Sequence, residues 1–234
     1  MKNILQSRLK EKGALILIFK KNSSRKWFAL SYIIVFFLLE LMIVTNSQIT
    51  SNFDYSIQNL LANITNSTNN KIFEFITFLG KPVMDVLYLI IIMVFLWFVK
   101  RRKSALWLGF VLISGNIIAF LVKITVRRTR PTGKIIPATG YSFPSGHVFG
   151  TTLVILAIIL FILPYLKNQS FNWIYKTILI LWLILVAISR VYLHGHFPTD
   201  VIGSALLAGA WWESSELLYL RYFEEKSKID IPVE

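Results

Sequence analysis

Long apolar runs separated by short polar interruptions are the main pattern along these 234 residues. A bilayer core of about 30 Å requires about 20 mostly apolar residues per helix, and several runs reach or approach that length. The pattern predicts about six membrane-spanning helices, of which the last has the weakest pattern; they begin near Trp27, Val83, Ala105, Val148, Trp173 and Val201. We therefore expect an all-α, polytopic membrane protein whose spanning helices form a bundle.

The composition supports a lipid environment. Hydrophobic residues make up 55% of the chain, aromatic residues 15%, and the mean hydropathy is +0.61, which is too apolar for one soluble core under a charged surface. The absence of cysteine excludes disulfides and thiolate metal sites. A formal net charge of +13 is compatible with nucleic-acid binding or with anionic lipid at cytoplasmic loops. The apolar spans favour the second interpretation, so no nucleic-acid partner is expected.

The basic residues also predict an orientation. Residues 1–26 have no pattern of a cleavable signal peptide, and their apolar stretch "ALILIF" is too short to span, so we expect a cytoplasmic segment with an interfacial helix. Basic residues prefer the cytoplasmic side. Residues 27–220 would then form the transmembrane core and residues 221–234 a second cytoplasmic segment, with residues 1–234 forming a single domain. Both termini would lie inside a multi-pass cell-membrane protein.

One predicted outer loop breaks this charge rule. The stretch "KITVRRTRPTGK" carries five basic residues on the side where they are disfavoured: Lys123, Arg127, Arg128, Arg130 and Lys134. A requirement other than topology must account for them. We interpret it as the binding of an anion.

Three polar segments are predicted to share that outer face: "KITVRRTRP", "PSGH" and "SRVYLHGHFPTD". Alone, each is typical of ordinary turns, caps or ion pairs. Together they resemble the signature of the type 2 phosphatidic acid phosphatase (PAP2) superfamily, K-x6-R-P, P-S-G-H and S-R-x5-H-x3-D. The matching residues are Lys123, Arg130, Pro131, Pro144, Ser145, Gly146, His147, Ser189, Arg190, His196 and Asp200. The motifs cover residues 123–200 directly, and the six-span layout extends the resemblance to nearly the whole chain.

The residue types agree with a phosphate site. Catalysis of phosphoryl transfer depends mainly on positioning and on fixed positive charge. Arg130 and Arg190 each offer a planar fork to two oxygens, and Lys123 adds a compact charge. Ser145 is predicted to cap the helix that follows it, and Gly146 would allow the backbone to approach a phosphate bound at that helix terminus.

The catalytic roles follow from the resemblance. It implies that His196 attacks phosphorus through one ring nitrogen while Asp200 holds the other ring N–H. His147 would protonate the leaving oxygen and later help to activate water. The family uses a phosphohistidine intermediate without a metal ion, so we expect neither a metal nor a cofactor.

The implied substrate is a lipid phosphate in the bilayer, such as undecaprenyl diphosphate, phosphatidylglycerol phosphate or phosphatidic acid. The short chain, free of cysteine and rich in Lys, Ile and Asn, is typical of a bacterial membrane enzyme. A lipid phosphotransferase with the same intermediate remains open. A vanadium-dependent haloperoxidase would share the motifs, but those relatives are soluble. A non-catalytic transporter or scaffold would not require both histidines and the aspartate. Nothing in the sequence indicates an oligomeric state.

Some polar residues fall outside the family pattern. His194 is either an interfacial hydrogen-bonding residue or a substrate contact. For Arg127, Arg128 and Lys134, lipid headgroups are favoured over an extension of the anion site. Glu40 and Asp85 lie within predicted spans, where ionisable residues often mark function; we favour a hydrogen bond between helices.

Overall fold

The computed structural model describes residues 24–166 and 171–229, with side chains as far as Tyr222. Within these ranges the protein consists of α-helices and short helical turns, without strands. The helices are α1 (Arg25–Val44), α2 (Gln48–Ala62), α3 (Ser67–Leu79), α4 (Pro82–Phe98), α5 (Arg102–Val126), α6 (Gly146–Ala157), α7 (Asn172–Tyr192) and α8 (Pro198–Ile229). The all-α prediction is confirmed. Most of the predicted interfacial segment lies outside the described residues.

Four helical segments are long and apolar enough to cross a membrane. They are α1, α5, α7 and the segment Gly146–Tyr165, in which α6 continues through a π-helical and a 3₁₀ turn. Helices α3 and α4 together form a fifth candidate, bent by 42°. Within the described ranges, α8 is not among the candidates; it is 32 residues long and carries charged residues in its second half. A multi-pass helical membrane fold is therefore observed, while the count of six spans is not confirmed.

Local sequence explains the break between α3 and α4. Gly80 follows the last residue of α3, and Pro82 is the first residue of α4. Proline fits this position because its missing N–H would have no partner within the helix. A Cβ atom at Gly80 would lie 3.0 Å from the Val186 side chain, so the small residue also lets the break approach α7 closely.

Helix α8 packs closely against neighbouring side chains at two of its glycines. Gly203 faces the ring of Phe143, and a Cβ atom at Gly209 would lie 3.1 Å from the ring of Tyr32. These small residues therefore allow α8 to pack closely against its neighbours. Outside the core, large apolar side chains are exposed, as expected for a surface that faces lipid.

The ends of four helices meet at the same end of the bundle. Helix α5 ends at Val126, α7 ends at Tyr192, and α6 and α8 begin at Gly146 and Pro198. The loops between them carry the motif residues. Helix α2 packs against α7 and α8 next to these loops, with Asp54 on its buried side.

Candidate active site

The three motif segments converge. The backbone N–H of Ser142 donates to the carbonyl of Arg128 at 2.8 Å, and that of Ile135 donates to Leu193 at 3.2 Å. The ring centroids of His147 and His196 lie 6.5 Å apart. The loop before α6 is thus joined to the end of α5 and to the loop before α8.

His196 is buried, and its hydrogen bonds define its tautomer. Nδ1 lies 2.7 Å from the backbone oxygen of Ser142, which can only accept, so Nδ1 carries the proton. Nε2 therefore holds a lone pair, and it lies 3.2 Å from Nη1 of Arg130. Burial lowers the pKa of His196 to about 4, although the Asp200 carboxylate opposes this shift. A neutral ring with an available Nε2 can act as a nucleophile.

Asp200 interacts with His196 differently from the prediction. Its Oδ2 lies 3.6 Å from Nδ1 of His196, beyond a normal hydrogen bond, and accepts instead from the backbone N–H of Phe197 at 2.9 Å. The predicted hydrogen bond to the ring is wrong because the carbonyl of Ser142 lies closer. Asp200 remains near enough to stabilise positive charge on the imidazole.

Arg130 is held by three backbone carbonyls. Its Nε and Nη2 donate to Thr139, Nε also donates to Gly140, and Nη1 donates to Gly195. Burial lowers the pKa of Arg130, while the charge of Asp200 raises it. A guanidinium has five N–H groups, so these bonds still leave donors directed towards Nε2 of His196. The fork is preorganised beside the reactive nitrogen.

Among the motif residues that the structure describes, Oγ of Ser145 and Nε of Arg190 are buried and have no hydrogen-bond partner. Ser145 precedes α6, but its side chain does not cap that helix as predicted; its backbone N–H donates to Oγ of Ser204 at 2.6 Å. Arg190 is buried at the end of α7, and its Nη1 donates to Thr77 at 3.4 Å. Buried polar groups normally have partners, so these atoms are suited to an anion.

Gly195 makes room for the guanidinium of Arg190. A Cβ atom at Gly195 would overlap Nη2 of Arg190 and lie 3.0 Å from its Cζ atom. Gly195 also donates its backbone N–H to the carbonyl of Arg190 at 3.0 Å. The loop before α8 therefore fits directly over this cation.

Lys123 supports the loop before α6. From the last turn of α5, its Nζ donates to the carbonyl of Pro144 at 2.7 Å and to that of Tyr141 at 3.1 Å. Gly146 and His147 follow as the first residues of α6. Lys123 thus contributes positive charge and also fixes the loop that carries Ser145.

His194, Arg127 and Lys134 are hydrogen-bonded to backbone carbonyls. Nδ1 of His194 lies 2.8 Å from the carbonyl of Thr132, consistent with the interfacial role. The side chain of Arg127 donates to Ile124 at 2.8 Å, and that of Lys134 donates to Ala138 at 2.9 Å.

The two acidic residues of the predicted spans have different surroundings. Asp85 accepts a hydrogen bond from Thr151, with the hydroxyl 3.2 Å and 3.3 Å from its two oxygens, so the favoured interpretation as a bond between helices is observed. Glu40 instead lines an apolar groove of about 250 Å³ between α1, α5 and α8.

Sequence reasoning missed three residues beside the site. Arg128 does not point to lipid headgroups, as we had favoured; its guanidinium pairs with Asp54 and Asp200, each at 2.6 Å. Thr199 donates its backbone N–H to Asp54 at 2.8 Å. For Asp54 the signal in the sequence was a lone aspartate within α2, which does not reveal its distant partners.

The structure is therefore that of a helical membrane protein with a cationic, histidine-containing site suited to a phosphate group. The chain belongs to the PAP2 superfamily, whose family model matches residues 104–223. Its relatives are named for the hydrolysis of lipid phosphates.

The similar proteins are membrane-lipid phosphatases. The chain is 29% identical over 178 residues to phosphatidylglycerophosphatase B of Bacillus subtilis strain 168, covering 74% of this chain and 85% of the relative. It is also 29% identical over 115 residues to undecaprenyl-diphosphatase BcrC of the same organism, covering 47% and 54%. The crystal structure of a transmembrane PAP2-type phosphatidylglycerolphosphate phosphatase from Bacillus subtilis has a TM-score of 0.71 at 24% identity, covering 85% of this chain and 97% of the other. This structural similarity shows that the two proteins share the same helical membrane fold.

Proposed function

We propose that this protein hydrolyses a lipid phosphate monoester or diphosphate through a phosphohistidine formed at His196, without a metal ion. The observation that carries the proposal is the tautomer of His196. Its Nδ1–H is directed to Ser142, and its Nε2 lone pair faces Arg130 at 3.2 Å. A nucleophilic nitrogen therefore lies beside the group best suited to bind the phosphoryl oxygens.

In the first step, Nε2 of His196 attacks phosphorus, and the bond from phosphorus to the lipid oxygen breaks. The guanidinium of Arg130 moves its hydrogen bond from Nε2 to a phosphoryl oxygen. Arg190, Lys123 and Ser145 bind the remaining charge, with Ser145 Oγ and Arg190 Nε gaining the partners they otherwise lack. His147 donates a proton to the leaving oxygen.

In the second step, water replaces His196 on phosphorus. His147, now neutral, accepts a proton from the water as its oxygen bonds to phosphorus and the bond to Nε2 breaks. The phosphorylated imidazole carries positive charge, which Asp200 stabilises from 3.6 Å. Release of phosphate restores the neutral ring of His196, and the proton that His147 took from water balances the one it gave to the leaving oxygen.

The substrate is proposed to bind from the bilayer. The site lies at one end of an apolar helix bundle, so a headgroup can enter it while the hydrocarbon chains remain in lipid. Undecaprenyl diphosphate and phosphatidylglycerol phosphate are the first candidates because relatives are named for these activities, and phosphatidic acid is the third. The basic residues at the amino-terminal end favour cytoplasmic termini and an active site on the outer face of a single domain of 234 residues.

A substrate panel tests the proposal. The three lipids are presented in mixed micelles, and phosphate release is measured for the wild type and for His196→Gln, with and without excess EDTA. We expect the wild type to release phosphate equally well with chelator, and His196→Gln to lose at least about 10³-fold in kcat. Near-normal turnover by the variant would remove the nucleophile assignment. Loss of activity with chelator, restored by a divalent ion, would contradict metal independence.

Product analysis separates hydrolysis from phosphoryl transfer. Both reactions use the same phosphohistidine, but water is the second acceptor only in hydrolysis. Mass spectrometry of the products with and without an added lipid or sugar acceptor is expected to detect free phosphate as the main product in both cases. Phosphorylated acceptor as the main product would identify a transferase.

A further inference from the structure

A buried ion network lies behind the nucleophile and is centred on Arg128. Nη1 of Arg128 donates to Oδ1 of Asp200 at 2.6 Å and to Oγ1 of Thr199 at 2.7 Å, and Nη2 donates to Oδ2 of Asp54 at 2.6 Å. The side chains of Asp54 and Asp200 are 1% and 0% exposed, so both carboxylates lie in a water-poor setting. One guanidinium fork therefore joins two buried carboxylates.

Both carboxylate oxygens of Asp54 accept hydrogen bonds within this network. Its Oδ1 accepts from the backbone N–H of Thr199, and its Oδ2 accepts from Oγ1 of Thr199, both at 2.8 Å. These contacts attach α2 to the first turn of α8, which also carries Asp200. The guanidinium of Arg128 is fixed from another side by the ring of Phe197, whose centroid lies 4.3 Å from Cζ.

The arrangement controls where the two oxygens of Asp200 point. Oδ1 is held by Arg128, and Oδ2 accepts from the N–H of Phe197. With both oxygens engaged, Oδ2 is kept 3.6 Å from Nδ1 of His196. Without Arg128, Asp200 would be free to rotate and would lie near the unneutralised charge of Asp54.

We propose that Arg128 and Asp54 are positioning residues for phosphoryl transfer. The clamp formed by Asp54, Arg128 and Asp200 holds the carboxylate of Asp200 against the imidazole edge of His196, where positive charge develops during the reaction. The clamp acts on the rate of the chemical step and makes no contact with substrate. This inference rests on the proposed role of His196 as the nucleophile.

The alternative is that Arg128 binds the substrate phosphate directly, as its neighbour Arg130 is proposed to do. The geometry opposes this because both terminal nitrogens of Arg128 already donate to carboxylates. A substrate-binding role predicts a higher KM when Arg128 is replaced, whereas a positioning role predicts a lower kcat.

The test compares Arg128→Lys and Asp54→Asn with Arg127→Gln as the matched control. Arg128→Lys keeps the charge but loses the fork, and Asp54→Asn keeps the shape but loses the charge. Arg127 is the adjacent arginine, and its side chain donates to its own helix at Ile124. We expect kcat to fall by about 10²-fold in both clamp variants, with KM within about twofold of wild type, because small displacements of reacting groups have effects of this size. Arg127→Gln is expected to keep wild-type kinetics.

A double variant and a folding measurement complete the experiment. Because both residues act through one clamp, Asp54→Asn combined with Arg128→Lys is expected to lose little more than either single variant. Thermal unfolding in detergent measures the folded fraction of each variant. A raised KM at unchanged kcat, unchanged kinetics in folded variants, or activity that falls only in proportion to folded protein would each overturn the proposal. Full activity of His196→Gln would instead overturn the proposed function, independently of these variants.

Discussion

At the scale of single residues, the proposed chemistry depends on which nitrogen of His196 carries its proton. The Ser142 carbonyl fixes that proton on Nδ1, and burial keeps the ring neutral. The same burial leaves Nε2 with Arg130 as its neighbour. The Ser142 carbonyl therefore accepts the ring N–H of His196, a role that sequence reasoning assigned to the carboxylate of Asp200.

This environment predicts how His196 titrates. With its pKa lowered to about 4, the ring stays neutral well below the ordinary histidine value of about 6.5. In the unfolded chain the ring takes up a proton as the pH falls through about 6.5, so acidification destabilises the folded state through this residue. Nitrogen NMR of histidine-labelled protein, assigned with His196→Gln, is expected to find Nδ1 protonated and Nε2 unprotonated from about pH 8 down to about pH 5. A midpoint near the ordinary value, or the opposite tautomer, would contradict the assignment.

The motif residues could be predicted because they combine scarce residue types at fixed spacing. His147, His196, Arg130 and Arg190 stand out in an apolar chain, and the structure brings them together. Asp54 could not be assigned, because its partners lie in the loop after α5 and on α8, far away in sequence. Ser142 could not be found either, since its contribution is a backbone oxygen that any residue would supply.

At the scale of helices and loops, the site depends on how tightly the loop before α8 crosses Arg190. Gly195 has no Cβ at the place where the guanidinium passes. The neighbouring bonds from Gly195 and His196 to the carbonyl of Arg190 fix this loop on the end of α7. The position of Arg190, the proposed phosphate-binding cation, is therefore set by the absence of a side chain at Gly195.

Gly195→Ala tests this arrangement. The added methyl group would displace the end of a flexible arginine rather than backbone, so the protein is expected to fold. We expect kcat/KM to fall by about 10²-fold, as for loss of one donor to a transition-state charge. The matched control is Gly109→Ala in α5, where the nearest atom, Sδ of Met93, would lie 3.4 Å from the new Cβ. Wild-type kcat/KM in folded Gly195→Ala would show that Arg190 does not need this space.

The break between α3 and α4 was not predicted as a feature of the fold. Sequence reasoning placed the beginning of a span near Val83, after this break. The structure instead joins α3 to α4 through a 42° bend as one candidate span. The apolar pattern of α3 is weakened by polar residues such as Asn69, Asn70 and Lys71, and hydropathy alone could not link it to α4.

At the scale of the whole molecule, an apolar helical bundle surrounds a polar site at one end. Exposed side chains such as Val83, Phe98 and Trp173 are expected to face lipid, whereas the cations and histidines lie where loops meet. The count of spans was the weakest part of the sequence prediction, because α8 mixes small, aromatic and acidic residues along its 32 residues. A lipid substrate would use both regions, with its phosphate in the site and its chains in the bilayer.

The most direct test of the central claim is to locate the phosphoryl group on the protein during turnover. A lipid substrate labelled in its transferable phosphate is mixed with wild-type protein and with His147→Gln, which is expected to slow both steps, and each sample is quenched in alkali within one turnover and digested. We predict an alkali-stable, acid-labile label on the peptide that contains His196, and no such label in the double variant His147→Gln/His196→Gln. Label on any other residue, or label that persists without His196, would contradict the account.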